Sequence, residues 1–313
     1  MGYKSSVRER NLVQRFRDAF TALVKRSIAR TPGTEPVPTT IPEAPSAPET
    51  PVVAPAARPR RPLDSAQDIA WHYDTYLGDY RAVYGEILQA HRPTDVEELL
   101  RYEMESAGLA DGMRVLDAGC GFCGPAIWFA QRRDITVDGI TLGTDMAEAA
   151  RRAVAAARLS DRITVREGDF HHLSDLFPEK TFDRVLFLET IGYFRSLDQV
   201  LNGAYHVLKP GGAIYVKDWY VKDHAPGTEE FEIAEQLNRK VYEEYGYNNI
   251  RRIEIVEAVL RAGFEIVTEQ VLPIDINPEI MFGFDARVGN TWPQYIRNNI
   301  VYTIPYELLA RRA

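Results

Sequence analysis

Cysteine is scarce in this 313-residue chain, which has only Cys120 and Cys123. A secreted scaffold stapled by several disulfides is therefore excluded, and a reducing compartment is expected. No run reaches the roughly 18–20 continuous apolar residues of a membrane span. The first residues also lack the unbroken apolar core of a secretory signal, because Arg8, Arg10, Arg15, Arg17, Lys25 and Arg26 interrupt it. Together these absences predict a cytoplasmic protein without a transmembrane segment. Positive charge is in deficit too: 37 Lys and Arg face 45 Asp and Glu, a net of −8. That balance disfavours nucleic acid as a partner, since phosphates call for a basic field.

The deficit is uneven. Residues 1–62 hold 11 basic and 5 acidic side chains, net +6, while the remaining 251 hold 26 and 40, net −14. Ten of the 19 prolines fall between Pro32 and Pro62. Over 1–30, Leu12, Phe16, Phe20, Leu23 and Val24 recur at helical spacing among basic residues, which predicts a basic amphipathic helix. Such a helix suits docking to a partner protein or an anionic membrane surface, and equally a plain solubilising extension. Residues 31–63, rich in Pro, Ala, Thr and Glu, read as an extended tether. Residues 64–313 form the body.

Within the body, residues 65–87 predict one or two aromatic-rich helices carrying Trp71, Tyr73, Tyr76, Tyr80 and Tyr84. Thr94, three residues before Glu97, reads as the cap of a helix ending near Ala107. Strand-like runs follow at Arg114–Asp117, Ile135–Thr141, Ile163–Arg166, Arg184–Leu188 and Ala213–Lys217, with helices at about 124–132, 144–158 and 196–207. A helix at 251–262, a strand at Phe264–Val271 and a last strand at Val301–Arg311 close the chain. Alternation at these intervals predicts an α/β fold with a mostly parallel sheet covered by helices on both faces.

The first strand runs into Asp117-Ala118-Gly119-Cys120-Gly121-Phe122-Cys123-Gly124. Glycines there let backbone amides approach a ligand. The string also satisfies the dinucleotide pattern G-x-G-x-x-G. Asp117 argues against that reading, because a carboxylate suits an ammonium group and not a pyrophosphate. Cys120-x-x-Cys123 lacks the second pair that a zinc site requires, so loop packing is expected of both thiols.

On these residues the chain resembles the class I S-adenosylmethionine-dependent methyltransferases. Val115–Gly124 is similar to their first motif and Gly168-Asp169 to their adenine turn. Phe182–Leu186 resembles the fourth strand, and Val207–Gly212 the turn before the fifth. The resemblance implies a Rossmann-like seven-stranded fold with an antiparallel last strand. It also implies S-adenosylmethionine as cofactor, held by Tyr73, Asp117, Gly119, Cys120, Gly121, Thr141, Asp169, Phe170 and Leu188. Two departures stand out. Cys123 replaces a glycine, and Gly139-Ile140-Thr141-Leu142 lacks the usual ribose-binding acid, a duty that passes to Thr141 or Asp145.

The segment Leu188-Glu189-Thr190-Ile191-Gly192-Tyr193 lacks the histidines common in O-methyltransferases. Glu189 and Tyr193 resemble instead the corresponding segment of isoprenyl diphosphate C-methyltransferases, within the wider group of cyclopropane synthases and sterol C-methyltransferases. That resemblance implies C-methylation of an alkene in a small molecule, above all a prenyl diphosphate. Glu189 would be the base that deprotonates a carbocation. Tyr193, Phe194, Trp219 and Tyr220 would supply an aromatic wall, with Tyr76, Tyr80, Phe282, Phe284 and Trp292 as further candidates. A diphosphate would need Mg²⁺ or a basic clamp, for which His171, His172, Arg195 and Arg297 are candidates. The charged insert at 220–249 and the helices at 65–87 are expected to cover the acceptor. O- or N-methylation of a specialised metabolite, or a cofactor-binding partner protein without turnover, are the alternatives. Subunit number, a homo-oligomer included, stays open at this level.

Overall fold

The computed structural model describes residues 63–222, 224–248, 250–290 and 303–313. The helix and tether expected over 1–62, and the candidates Trp292 and Arg297, lie outside the described residues. The body opens with α1 (Ala66–Thr75) and α2 (Leu77–Tyr84), followed by α3 (Val96–Ser106). Ser65 and Asp68 close a capping box at the start of α1, which satisfies amides that would otherwise lack partners. The start of α3 departs from expectation. Asp95, not Thr94, caps it by accepting from Glu97 N–H at 3.0 Å, while the Thr94 hydroxyl accepts from Asn277 Nδ2 at 2.9 Å.

Strands and helices then alternate: β1 (Arg114–Ala118), α4 (Gly124–Arg132), β2 (Thr136–Thr141), α5 (Thr144–Ala156), β3 (Ile163–Glu167) and the short α6 (Leu173–Leu176). They continue through β4 (Phe182–Leu188), α7 (Leu197–Val207), β5 (Leu208–Val221), α8 (Glu229–Tyr245), α9 (Arg252–Arg261) and β6 (Phe264–Val271). Short α10 (Pro278–Met281) and α11 (Gly283–Val288) precede β7 (Thr303–Arg312). The strands form one seven-stranded sheet in the order β3-β2-β1-β4-β5-β7-β6. β1 to β5 are mutually parallel, and β7 runs antiparallel between β5 and β6.

β5 is longer than its apolar run suggested. Phe182 pairs with Leu208 and Arg184 with Ala213, so the Lys209–Gly212 turn bulges inside the strand pairing. Its far end continues past Lys217 because β7 pairs with it as far as Val221. Period-two alternation divides the core between the sheet faces. Val185, Phe187, Ile214 and Val216 pack into one apolar cluster, while Leu186, Leu188 and Tyr215 pack into another. The carboxyl ends of β1, β2 and β4 therefore open on one edge, where parallel α/β sheets leave a crevice.

Candidate active site

Two chambers meet at that edge. The first sits over the β1 loop and is lined by Tyr73, Asp117, Gly119, Cys120, Gly121, Thr141, Phe170 and Leu188, with Gln89, Met146 and Thr190 among its other walls. Gly119 has a φ of +99°, and a Cβ there would lie 2.5 Å from Thr190 Cγ2, so this turn admits only glycine. Cys123 holds a left-handed φ of +66° as the residue before α4, a conformation in which a side chain costs energy that glycine would avoid. Both thiols are free and buried. Asp117 Oδ2 is buried without a hydrogen-bond partner among the described residues, and burial pushes this carboxyl up to about 7. An acceptor left in that condition suits a cationic donor.

Glu189 stands at the seam, lining both chambers as Tyr73, Leu88 and Tyr193 also do. Its backbone takes a φ of +56° at the end of β4. Oε2 accepts from Ala90 N–H at 2.7 Å and Oε1 from His91 N–H at 3.0 Å. Lys217 on neighbouring β5, fully buried, forms an ion pair with Oε1 and donates to the His91 carbonyl at 2.8 Å. Burial alone would raise the Glu189 pKa. The Lys217 ammonium, helped by the His91 imidazole, outweighs it and holds the carboxyl well below the usual range. Glu189 is thus an ionised group at neutral pH.

The second chamber, a cavity of about 150 Å³, is walled largely by rings. His91 stacks on Trp219 with centroids 4.9 Å apart, and Trp219 stacks on Tyr247 at 5.3 Å. Tyr193 meets Tyr247 edge-on at 4.8 Å, and its hydroxyl bonds that of Tyr73 at 2.7 Å. Asp218 fixes this wall: it accepts from Ile191 N–H and Trp219 N–H, each at 2.8 Å, and from the Tyr247 hydroxyl. A Cβ on Gly192 would fall 2.0 Å from the Tyr247 ring, so the space that a histidine would need here is already filled. Tyr80, Tyr84, Phe282, Phe284 and residues of α8 complete the enclosure.

The family described as "Methyltransferase domain" matches residues 115–212. The sterol 24-C-methyltransferase erg6 of Aspergillus fumigatus is 30% identical over 177 residues, which cover 56% of this chain and 45% of that protein. The chain therefore spans less than half the length of that relative. Among solved structures, the [4+2]-cyclase SpnF superposes with a TM-score of 0.64 at 19% identity, covering 79% of this chain and 97% of its own. Geranyl diphosphate C-methyltransferase from Streptomyces coelicolor A3(2), in complex with Mg²⁺, geranyl-S-thiolodiphosphate and S-adenosyl-L-homocysteine, gives 0.62 at 17% identity, covering 83% and 100%. Residues 115–212 thus match a methyltransferase domain, and the body has the fold of these solved structures. The first chamber lies along the matched stretch, over the loop that follows β1.

Of the cofactor residues expected from sequence, the fold gathers all but Asp169 on the first chamber's wall. Asp169 Oδ1 is occupied by His171, accepting from its backbone N–H at 2.9 Å and contacting Nδ1 at 2.6 Å. Asp145 is also absent from that wall, whereas Thr141 lines it. Glu189, Tyr193 and Trp219 all line the second chamber. Phe194 and Tyr220 do not: Phe194 packs into the core against Phe170 at 5.0 Å and Phe187 at 5.1 Å, and Tyr220 meets Tyr306. Tyr76 lies behind the wall against His72 and Phe284. His171 Nε2 accepts from Arg195 N–H, so neither residue joins the acceptor cavity. The residue pattern does not single out Lys217, His91, Asp218 or Tyr247; its only signal for them is the Lys-Asp pair interrupting an apolar strand.

Proposed function

We propose that this protein methylates an alkene carbon of a small molecule using S-adenosylmethionine, and that the acceptor is a prenyl diphosphate. The observation that carries the reading is the position of Glu189, an ionised carboxylate shared by the cofactor chamber and a cavity of aromatic rings. The sterol 24-C-methyltransferase and geranyl diphosphate C-methyltransferase similarities support transfer to carbon.

S-adenosylmethionine, when bound, supplies an electrophilic methyl group on a sulfonium. Tyr73, Leu88, Glu189 and Tyr193, which border both chambers, would frame the opening through which an alkene approaches that methyl. The alkene's π electrons form the new carbon–carbon bond and leave a carbocation on the neighbouring carbon. Tyr193, which meets Tyr73 and Tyr247 edge-on, would offer its ring to the cation, and the Glu189 charge would stabilise it across a dry interior. The C–H electrons then restore a double bond as the proton leaves toward Glu189. Oε2 accepts only one amide among the described residues, which leaves it room for that proton.

The depressed pKa separates the alternatives. A carboxylate so weakly basic is poorly suited to remove a proton from an alcohol, yet ample for a carbocation, whose adjacent C–H is a very strong acid. Among the described residues no group of three or more His, Cys, Asp or Glu could hold a metal ion. No step here is routed through Mg²⁺.

The test is incubation with methyl-labelled S-adenosylmethionine and geranyl, farnesyl and isopentenyl diphosphates, with and without Mg²⁺, beside a neutral sterol alkene. Label retained on carbon after phosphatase treatment is the expected result. Labelling of the sterol alone would remove the diphosphate assignment, and label on oxygen or nitrogen would remove C-methylation. No label in any product would favour a cofactor-binding protein without methyl transfer.

A further inference from the structure

Gln89 and Glu103 form a buried polar pair that none of the chemistry above uses. Each is 1% exposed, and Gln89 Nε2 donates to Glu103 Oε2 at 3.2 Å. Gln89 belongs to the loop between α2 and α3 and lines the cofactor chamber; Glu103 projects from α3 behind it. Gln89 Oε1 and Glu103 Oε1 have no hydrogen-bond partner among the described residues. Two other atoms of this region share that condition, Asp117 Oδ2 and Thr190 Oγ1, and both residues line the same chamber.

Three buried oxygens without partners among the described residues on one chamber's wall, with a fourth on Glu103 behind it, are unusual, because each such group carries a desolvation cost comparable to a lost hydrogen bond. On the wall itself, Asp117 Oδ2 and Gln89 Oε1 are acceptors of carboxylate and amide type. They are complementary to a group with several N–H donors, no acceptor and positive charge, which describes an ammonium. The cofactor carries one at its amino-acid end. Glu103 matters because of what it does to Gln89. An amide can present either its oxygen or its nitrogen to a ligand; with the nitrogen committed to a carboxylate, the oxygen is the end left facing the chamber. Burial pushes the Glu103 carboxyl up to about 8 against the pull of Lys217, so a cation arriving beside the pair favours the ionised form that holds the amide.

We infer that Gln89, oriented by Glu103, is a second contact beside Asp117 for the ammonium group of S-adenosylmethionine. The inference rests on the cofactor occupying the first chamber, and it is independent of the acceptor's identity. Glu103 is a positioning residue in this arrangement, since it acts through the Gln89 amide.

Calorimetric titration of the full chain with S-adenosylhomocysteine and with its analogue lacking the α-amino group tests it without turnover. In Gln89→Met, affinity for S-adenosylhomocysteine should fall about 10- to 100-fold, the range for a hydrogen bond to a charged group. Affinity for the deaminated analogue should stay within about threefold, because the lost contact was never made. Equal weakening of both ligands, or of neither, would overturn the assignment. Should Gln89→Met fail to fold, NMR of the wild-type glutamine side-chain amides decides the question instead. The Gln89 NH₂ resonances should shift with S-adenosylhomocysteine and not with the analogue, and the same shift with both would refute the contact. Glu103→Leu should reproduce the selective loss in weaker form. If the wild-type protein binds neither ligand, the cofactor assignment itself fails and the Gln89 contact falls with it.

Discussion

Lys217 and Glu189 face each other across adjacent parallel strands, one residue past the register pair Leu188–Lys217, and neutralise each other with almost no access to solvent. Removing one member leaves the other charge buried and alone. Lys217→Met is therefore expected to destabilise the fold by about 3–5 kcal/mol, visible as a lower melting temperature and a shift in denaturant midpoint. Glu189→Gln should also lower stability, since its new amide N–H₂ would oppose donors at Ala90, His91 or Lys217. Methyl transfer should fall strongly in Glu189→Gln while cofactor affinity is retained. Full activity with unchanged affinity would show that Glu189 does not handle the proton.

The same pair sets a sign for acid behaviour. The folded-state pKa of Glu189 lies below its unfolded value, so its contribution is fully present above about pH 4.5 and is lost as the pH falls through the lower folded value. Chemical denaturation at a series of pH values should show stability declining below that point, and the decline should flatten in Glu189→Gln.

Cofactor affinity should follow the opposite half of the pH scale. Asp117 titrates near about 7 in the unliganded protein, and an ammonium ligand requires its ionised form. As the pH falls from about 8 to 6, binding must expel a proton from a growing fraction of molecules, and affinity should drop by up to about tenfold per unit. Glu103, whose own rise to about 8 is reinforced by the Asp117 charge, extends the dependence toward the alkaline side. Titration of Asp117→Asn should give weaker binding with a flatter pH dependence.

Gly192→Ala tests the aromatic wall. The new methyl would fall within the Tyr247 ring, displacing a ring that stacks on Trp219 and donates to Asp218. A loss of about 1–3 kcal/mol is expected from the overpacking, together with weaker acceptor binding. Unchanged melting and acceptor affinity would mean that Tyr247 can move aside freely.

Asp74 of α1 caps a different helix: its Oδ1 accepts from Met146 N–H at 3.0 Å in the first turn of α5. Asp74→Ala should cost about 0.5–2 kcal/mol, as cap removals do, measured by thermal melting. Weaker cofactor binding should accompany it, because Met146 lines the first chamber.

From the sequence, residues 31–63 are expected to tether a basic head to an acidic body. Deleting residues 1–62 should leave melting temperature and methyl transfer essentially unchanged, as compared by calorimetry and the labelled-methyl assay. Loss of folding would show that the head is part of the body.

The sheet was legible because apolar runs at Val115, Val137, Val185 and Ile214 alternate with helical segments, and the cofactor loop because glycines and Asp117 sit at a fixed offset from a strand. What was not legible depends on partners remote in the chain. Lys217 reads as a strand-end charge facing water until β4 brings Glu189 beside it. Gln89 is an ordinary polar residue before α3 until Glu103, within that helix, turns its amide. Phe194 and Tyr220 looked like cavity rings from composition, but chain direction after a turn and strand alternation send them elsewhere. The resemblance implies Asp169 at the adenine; in the structure its Oδ1 accepts from His171 N–H.

The helices α1 and α2 roof both chambers at once. Ile69 covers the cofactor side, Tyr80 and Tyr84 the acceptor side, and Tyr73 the boundary between them. One cover over two compartments ties their access together. Any opening of that cover wide enough to empty the first chamber would also expose the ring-walled one, so what the two chambers hold would be exchanged together.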